Sequence, residues 1–286
     1  SIMKKKNVLF SGVAALTLFL AACGSSDSNT DSAADTAASE AEAVKIGVVS
    51  EVEVEVWEDV ASRLEAKGIE LEIVQFSDYV QPNVALENGG IDLNAFQHVA
   101  YLEDFNANNE SDLTPIGFTY VSPLGLYSET VTDYADIADG AKIAIPNDVT
   151  NGGRALLLLQ ATGLIKVDEA KGTTPTVNDI TENPKNISFE ELDAAQVARS
   201  LPDVDAAIIN TNYATDSGLN PKEDALFLDT DNIASVADVY KNIVAARSED
   251  VDNETYKQVV AEYQTSETAA LLDDVTEGND VPAWEQ

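Results

Sequence analysis

Four short segments carry the side chains able to do chemistry. The first is Pro146-Asn147-Asp148-Val149-Thr150-Asn151-Gly152-Gly153-Arg154, which follows a strand-like run and opens a helical one. It offers backbone N–H groups at a helix start, amide side chains and one guanidinium, a donor set that suits a carboxylate. The glycine spacing and Lys-Ser/Thr ending of a phosphate loop are absent. Helix capping alone would explain Asn151-Gly152-Gly153 equally well. Arg154 favours the anion site, because a cation in a helix's first turn opposes the helix dipole and needs an anionic partner. The second segment, Asn94 to Tyr101, holds Phe96, Tyr101 and the chain's only histidine, His98, at the end of a short strand; a helix start with Phe96 and Tyr101 in the core is the plainer alternative. The third, Ile209-Asn210-Thr211-Asn212-Tyr213, ends an apolar strand in two amides, where a turn is the alternative. The fourth is Asn242, inside an apolar strand pattern. A buried Asn must be hydrogen-bonded, by the protein or by a ligand.

Catalysis fits this inventory poorly. With 51 Asp+Glu in 286 residues, close acidic pairs arise by chance, so Glu51/Glu53 and Glu190/Glu191 read as solvated surface. No Gly-x-Ser-x-Gly elbow occurs. One His and one Cys exclude a multi-histidine or cysteine metal site and an intrachain disulfide. No catalytic residue, metal or cofactor is assigned. The formal net charge of −35, from 16 Lys+Arg against those acids, excludes a nucleic-acid partner and docking on anionic lipid through a basic face.

The elements that must position these residues alternate. Lys45–Val49 reads as a strand, the stripe Val56, Val60, Leu64 as a helix ending near Gly68, and Ile69–Phe76 as a second strand, a βαβ unit. Helical 80–88, a strand at 91–94, a helix through Phe105 and a long apolar run from Ile116 to Tyr127 follow. The theme restarts at Lys142–Pro146, with a helix closed by Gly163, a strand at 187–192, a helix at 195–201 and a strand at 205–209. Strand 240–246 and one helix from Glu254 to Leu272 complete it. Two α/β blocks predict two lobes with a ligand in the cleft between them, at the carboxyl ends of the strands.

The N-terminus reads as an address. Lys4-Lys5-Lys6 precede an apolar stretch, Val8 to Ala22, that ends Leu20-Ala21-Ala22-Cys23. Small residues before a lone Cys resemble a bacterial lipobox, in which the thiol receives a diacylglyceryl group. Residues 24–43 contain no large apolar side chain and read as a flexible tether, with a reach of roughly 25 Å.

The segments Val80-Gln81-Pro82-Asn83, Ile91 to His98, Pro146 to Gln160 and Ile209 to Ala214 resemble the methionine-binding lipoproteins of the NlpA family, from about Val44 to the C-terminus. The resemblance implies an α/β, two-lobe periplasmic-binding-protein type 2 fold with the ligand cleft between lobes. Its organisation would be signal peptide 1–22, lipidated Cys23 and tether 23–43, lobe 1 from 44–124 plus 239–286, and lobe 2 from 125–238. It also implies a monomeric substrate-binding component of an ABC importer, held by lipid on the outer face of the cell membrane. That component would bind methionine, with the L form expected and the D form left open, and deliver it to a membrane permease driven by an ATPase. A methionine-containing dipeptide or another apolar amino acid is the alternative ligand, and an enzyme on the same fold the alternative class. By position, Arg154 would grip the ligand carboxylate, Asn151, Asn210 and Asn242 would bond its polar groups, and Phe96, His98, Tyr101 and Tyr79 would wall its thioether. Two segments depart from the family pattern: the acidic loop Ser50-Glu51-Val52-Glu53-Val54, and Ser122 before Pro123.

The anchor makes one prediction. Replacing Cys23 with Ala should move the protein from the membrane to the soluble fraction or leave it unprocessed, because the tether is too polar to hold lipid itself. Detergent-dependent membrane association that survives the substitution would overturn it.

Overall fold

The computed structural model describes residues 40–230 and 237–285. The expected signal segment, Cys23 and the tether up to Ser39 lie outside the described residues. Among the described residues no helix is long and apolar enough to cross a membrane.

Two five-stranded sheets organise the chain. In the first, β1 (Glu42–Val48), β2 (Ile69–Gln75), β3 (Leu93–His98), β4 (Thr114–Phe118) and the late strand β13 (Asn242–Ala246) run in the order β2-β1-β3-β13-β4. β1 pairs parallel with β2 and β3, while β13 is antiparallel to both its neighbours. The second sheet contains β6 (Leu124–Tyr127), β7 (Lys142–Pro146), β10 (Ser188–Leu192), β11 (Ala206–Asn210) and β12 (Phe227–Leu228), in the order β10-β7-β11-β6-β12. It repeats the plan, with parallel pairs on one side and the strand nearest the crossover, β6, antiparallel. β1 starts at Glu42 because Glu42 and Ala43 pair with Ile69 and Glu70, so the last tether positions are strand. Leu124, placed in lobe 1 by the sequence, is the first residue of β6.

The chain passes from the first sheet to the second through residues 119–123. Within that crossover β5 (Tyr120–Val121) pairs with β14 (Val281–Pro282), so the C-terminal segment braces the passage. The return runs from β12 to β13. A separate small ribbon, β8 (Lys166–Val167) with β9 (Ile180–Glu182), flanks the second sheet.

Helices α1 (Glu51–Glu65), α2 (Gln81–Glu87), α3 (Val99–Asn109) and α4 (Val149–Thr162) follow the strands as a βα alternation requires, as do α5 (Ala194–Ser200) and α6 (Thr211–Asp216), and the short α7 (Pro221–Asp224) comes after α6. The segment expected as an acidic loop, 50–54, is instead the start of α1. Ser50 is its N-cap, and Glu53 closes a capping box by bonding back to the Ser50 N–H. Glu53 is therefore buried, not solvated. The single helix expected from Glu254 to Leu272 is two, α8 (Glu254–Tyr263) and α9 (Ser266–Val275). Thr265 is extended and caps α9 by accepting from the Thr268 N–H at 3.3 Å, which ends the preceding helix. α1, α8 and α9 cover one face of the first sheet around Trp57, whose ring stacks on Tyr263 at 4.6 Å.

Gly153, offered by the sequence as a capping glycine, has a packing role. A Cβ there would stand 2.5 Å from the Thr173 carbonyl oxygen and 3.0 Å from Thr174 Cα. Both obstacles are backbone, so α4 would have to move. Gly153→Ala is expected to cost about 1–3 kcal/mol in urea unfolding, and stability within error of wild type would show that the 173–174 loop yields freely.

Candidate ligand-binding site

Between the sheets, at the carboxyl ends of β3 and β11 and the start of α4, lies a cavity of about 40 Å³. Its aromatic wall comes from the first lobe. Phe96 and His98 end β3, Tyr101 starts α3, and Tyr79 precedes α2. Tyr79 packs within 5.8 Å of Phe96 and 5.9 Å of Tyr101 between ring centroids, and Phe96 meets Tyr101 edge-on at 6.0 Å. This wall is set from behind by a buried amide cluster. Asn83 and Gln97 exchange two hydrogen bonds of 2.8 and 2.7 Å, and Asn94 donates to Asn83 at 2.9 Å. Fully satisfied, such a network ties α2 to β3 in one arrangement.

The opposite wall is polar. Asp148 caps α4, accepting from the Asn151 N–H at 2.9 Å and from its side-chain amide at 3.3 Å. That leaves the Asn151 carbonyl oxygen facing the cavity, where it meets His98 Nε2 at 3.0 Å and Asn210 Nδ2 at 3.2 Å. His98 Nδ1 accepts the Tyr101 N–H at 3.1 Å, capping α3, so the proton sits on Nε2 and is donated to Asn151. Burial and then the charge of Arg154 push the His98 pKa down to about 4. The ring is neutral near pH 7. Asn210 sits at the N-cap position of α6 without capping it, because its side chain turns to Asn151. Asn242 is the first residue of β13, not an interior one, and donates to the Tyr120 carbonyl at 3.0 Å.

Two groups in the cavity wall have no partner: the Asn210 carbonyl oxygen and the Asn212 amide nitrogen. The Asn212 carbonyl accepts from the Tyr79 hydroxyl, which leaves its NH₂ as a buried donor. A buried unpaired acceptor and a buried unpaired donor on two residues of one cavity wall are costly unless something satisfies them.

Seven of the eight residues expected to touch ligand therefore line one cavity: Tyr79, Phe96, His98, Tyr101, Asn151, Asn210 and Asn242. The eighth, Arg154, lies in the second turn of α4, not the first, and is not among the lining residues. The anionic partner its position demanded is Asp229, at 2.6 Å. Its Nη2 donates to the carbonyl of Ser122, which does line the cavity, at 3.0 Å. Sequence reasoning missed Tyr120, Asn212 and Tyr240. Asn212 stood in a quoted segment and was passed over for Asn210. Tyr120 was hidden in an apolar run. Tyr240 places its ring 5.5 Å from His98 and 4.5 Å from the Arg154 guanidinium carbon.

Two similar open α/β sheets with helices interleaved and a cavity between them define the two-lobe class of substrate-binding proteins. The chain matches the NlpA lipoprotein family over residues 44–284 and belongs to it. It is 41% identical, over 98% of both chains, to the probable D-methionine-binding lipoprotein MetQ of Vibrio cholerae. Among solved structures it resembles a nutrient-binding protein from Burkholderia cenocepacia bound to methionine, with TM-score 0.80 and 40% identity over 84% of this chain and all of that one. The substrate-binding protein of a methionine transporter from Streptococcus pneumoniae is similar, with TM-score 0.80 and 39% identity over 85% of this chain and 96% of that one. These relatives carry the names of binding proteins.

Behind the cavity the crossover is held by two buried carboxyls. Glu53 accepts the Val49 and Ser50 N–H groups at 3.0 and 3.2 Å and the Tyr120 hydroxyl. Asp280 accepts the Ser122 hydroxyl. Burial, opposed by the Ser122 bond and reinforced by Glu53, raises the Asp280 pKa to about 7. The folded protein therefore holds a proton that the unfolded chain releases above pH 4. This contribution to stability is full below the unfolded value and is lost as pH rises to about 7. Asp280→Asn keeps an acceptor for Ser122 and removes the charge. Relative to wild type it should gain about 2–3 kcal/mol between pH 5 and pH 8 in urea unfolding. A difference independent of pH would show that Asp280 stays ionised throughout.

Proposed function

We propose that the protein is the substrate-binding lipoprotein of an ABC importer, taking methionine of either hand from outside the cell membrane and presenting it to the permease. It works as a monomer, is held by acylated Cys23, and performs no chemistry on its ligand. The observation that carries this reading is the pairing, in one closed cavity, of an aromatic wall with an unpartnered amide acceptor and donor on Asn210 and Asn212. A ligand of that shape is apolar at one end and carries an ammonium and a carboxylate at the other. The rings of Phe96, Tyr101 and Tyr79 suit a polarizable thioether, worth ~0.3–1.5 kcal/mol per contact. Arg154, with Asn151 and Asn242, is assigned to the ligand's polar end. The names of the relatives support the choice of methionine among apolar amino acids.

The test is a thermal-shift and calorimetric panel of L- and D-amino acids and methionine dipeptides. L-methionine should stabilise the protein by ~4 kcal/mol at a thousandfold excess over Kd and be recovered intact. A shift with another amino acid or a dipeptide and none with methionine would reassign the ligand, and chemically altered methionine would point to an enzyme. Among folded variants, Arg154→Ala should weaken L-methionine by ~2–5 kcal/mol, since a desolvated carboxylate loses its cation. Phe96→Ala should cost less and chiefly blunt discrimination between methionine and leucine. The reverse order would make Arg154 a structural residue.

A further inference from the structure

Arg154 is already engaged before any ligand arrives. Its Nε donates to Asp229 Oδ2 at 2.6 Å and its Nη2 to the Ser122 carbonyl at 3.0 Å, while the Tyr240 ring lies 4.5 Å from the guanidinium carbon. Asp229 is clamped in turn. Its Oδ1 accepts the Leu124 N–H at 2.9 Å, and its own N–H donates to the Leu124 carbonyl at 2.9 Å. Carboxylate and carbonyl thus both hang on the crossover between the sheets, and together they fix the plane of the guanidinium. The side chains are only 7% and 17% exposed, so water screens the pair weakly.

We propose that Asp229 is a positioning and charge-setting residue for the ligand site: it holds the Arg154 guanidinium behind the cavity wall, against the Ser122 carbonyl, and cancels its charge, so that the site prefers a net-neutral amino acid to the corresponding anionic 2-oxo acid. The inference rests on the reading of Arg154 as the partner of the ligand carboxylate. A lone buried guanidinium would favour any carboxylate, and most of all one without an ammonium group, because that ligand would neutralise it. With Asp229 in place the Arg–Asp pair is neutral. An anion then leaves an uncompensated buried charge, which is expensive, whereas a zwitterion adds none. Neutral His98 does not alter this balance. The unpaired Asn210 carbonyl oxygen adds an acceptor for the ammonium, which the oxo acid lacks.

The experiment is calorimetric titration of the full-chain wild type, Asp229→Asn and Asp229→Glu with L-methionine and with 4-methylthio-2-oxobutanoate at one salt concentration. Wild type should prefer the amino acid. In Asp229→Asn, methionine affinity should fall at least tenfold and the preference for amino acid over oxo acid should also fall at least tenfold. Asp229→Glu keeps the charge and shifts its place, so the preference should survive while methionine affinity drops. An Asp229→Asn preference within threefold of wild type would overturn the charge-setting role, even if affinity fell, because loss of structure alone weakens both ligands together. Should the Asn variant not fold, the Glu variant decides: a lost preference or an unchanged methionine affinity overturns the proposal. If wild type ignores methionine but binds another amino acid, the methionine reading fails. The same ratio, read with that amino acid and its 2-oxo acid, still decides the role of Asp229.

Discussion

The hydrogen bond from His98 to Asn151 ties the two walls of the cavity together, and the Tyr79 hydroxyl makes a second such tie to Asn212. The first joins the end of β3 in the first sheet to the start of α4 beyond the second. It forms only if Nε2 carries the proton, and Nε2 carries it only while Nδ1 accepts the Tyr101 N–H that opens α3. The same imidazole therefore caps a helix, bonds across the cavity and lines it. A second proton would turn the Tyr101 N–H against an N–H on Nδ1 and break the cap. Burial and the nearby Arg154 oppose that protonation. The guanidinium thus adds to burial in keeping His98 neutral.

Much of this was legible in the sequence because it rests on local rules. Strand–helix alternation placed β1, β2, β7 and β11 within a few residues, and Gly163 ends α4 in the left-handed conformation at φ 82°, as a glycine after a helix should. Most of the cavity residues lie at or just past the carboxyl end of a strand, where an open α/β sheet leaves its ligand sites, and Asn242, at the start of antiparallel β13, is the exception. What escaped was non-local. That Glu53 is buried follows from the capping box it completes and from Tyr120, far along the chain; composition made it one acid among 51. Asp229 was invisible for the same reason. Arg154 needs an anion because it is buried, not because it stands in a first turn, and sequence could not say whether ligand or protein supplies it. Geometry supplies Asp229 first, and a ligand carboxylate would have to share the guanidinium.

The crossover 119–123 shows how the two lobes and the site are mechanically one object. Its side chains Tyr120 and Ser122 are bonded to Glu53 and Asp280, and its carbonyls at Tyr120 and Ser122 accept from Asn242 and Arg154. Any swing of one lobe against the other rotates this short strand. It must then strain or break bonds to two residues assigned to the ligand and to two buried carboxyls. The residues assigned to the ligand and the two buried carboxyls thus meet at the same two crossover residues, the first through backbone carbonyls and the second through side-chain hydroxyls.

The protein's acidity sharpens the problem that the site must solve. With 51 acids against 16 bases, the field over most of the surface repels anions and gives no help to a carboxylate approaching the cleft. A ligand carboxylate must be paired locally. Yet a cation strong enough to attract it would, alone and desolvated, be costly to bury and indifferent to whether the ligand also bears an ammonium. Pairing Arg154 with Asp229 resolves both difficulties at once. It makes burial of the guanidinium tolerable, and the pair itself carries no net charge. Discrimination then falls to the amides of Asn210 and Asn212, whose unpaired acceptor and donor are rewarded only by a ligand that brings both a donor and an acceptor. In a chain this acidic, selection by polarity with no net charge at the site is the arrangement that remains insensitive to the field around it.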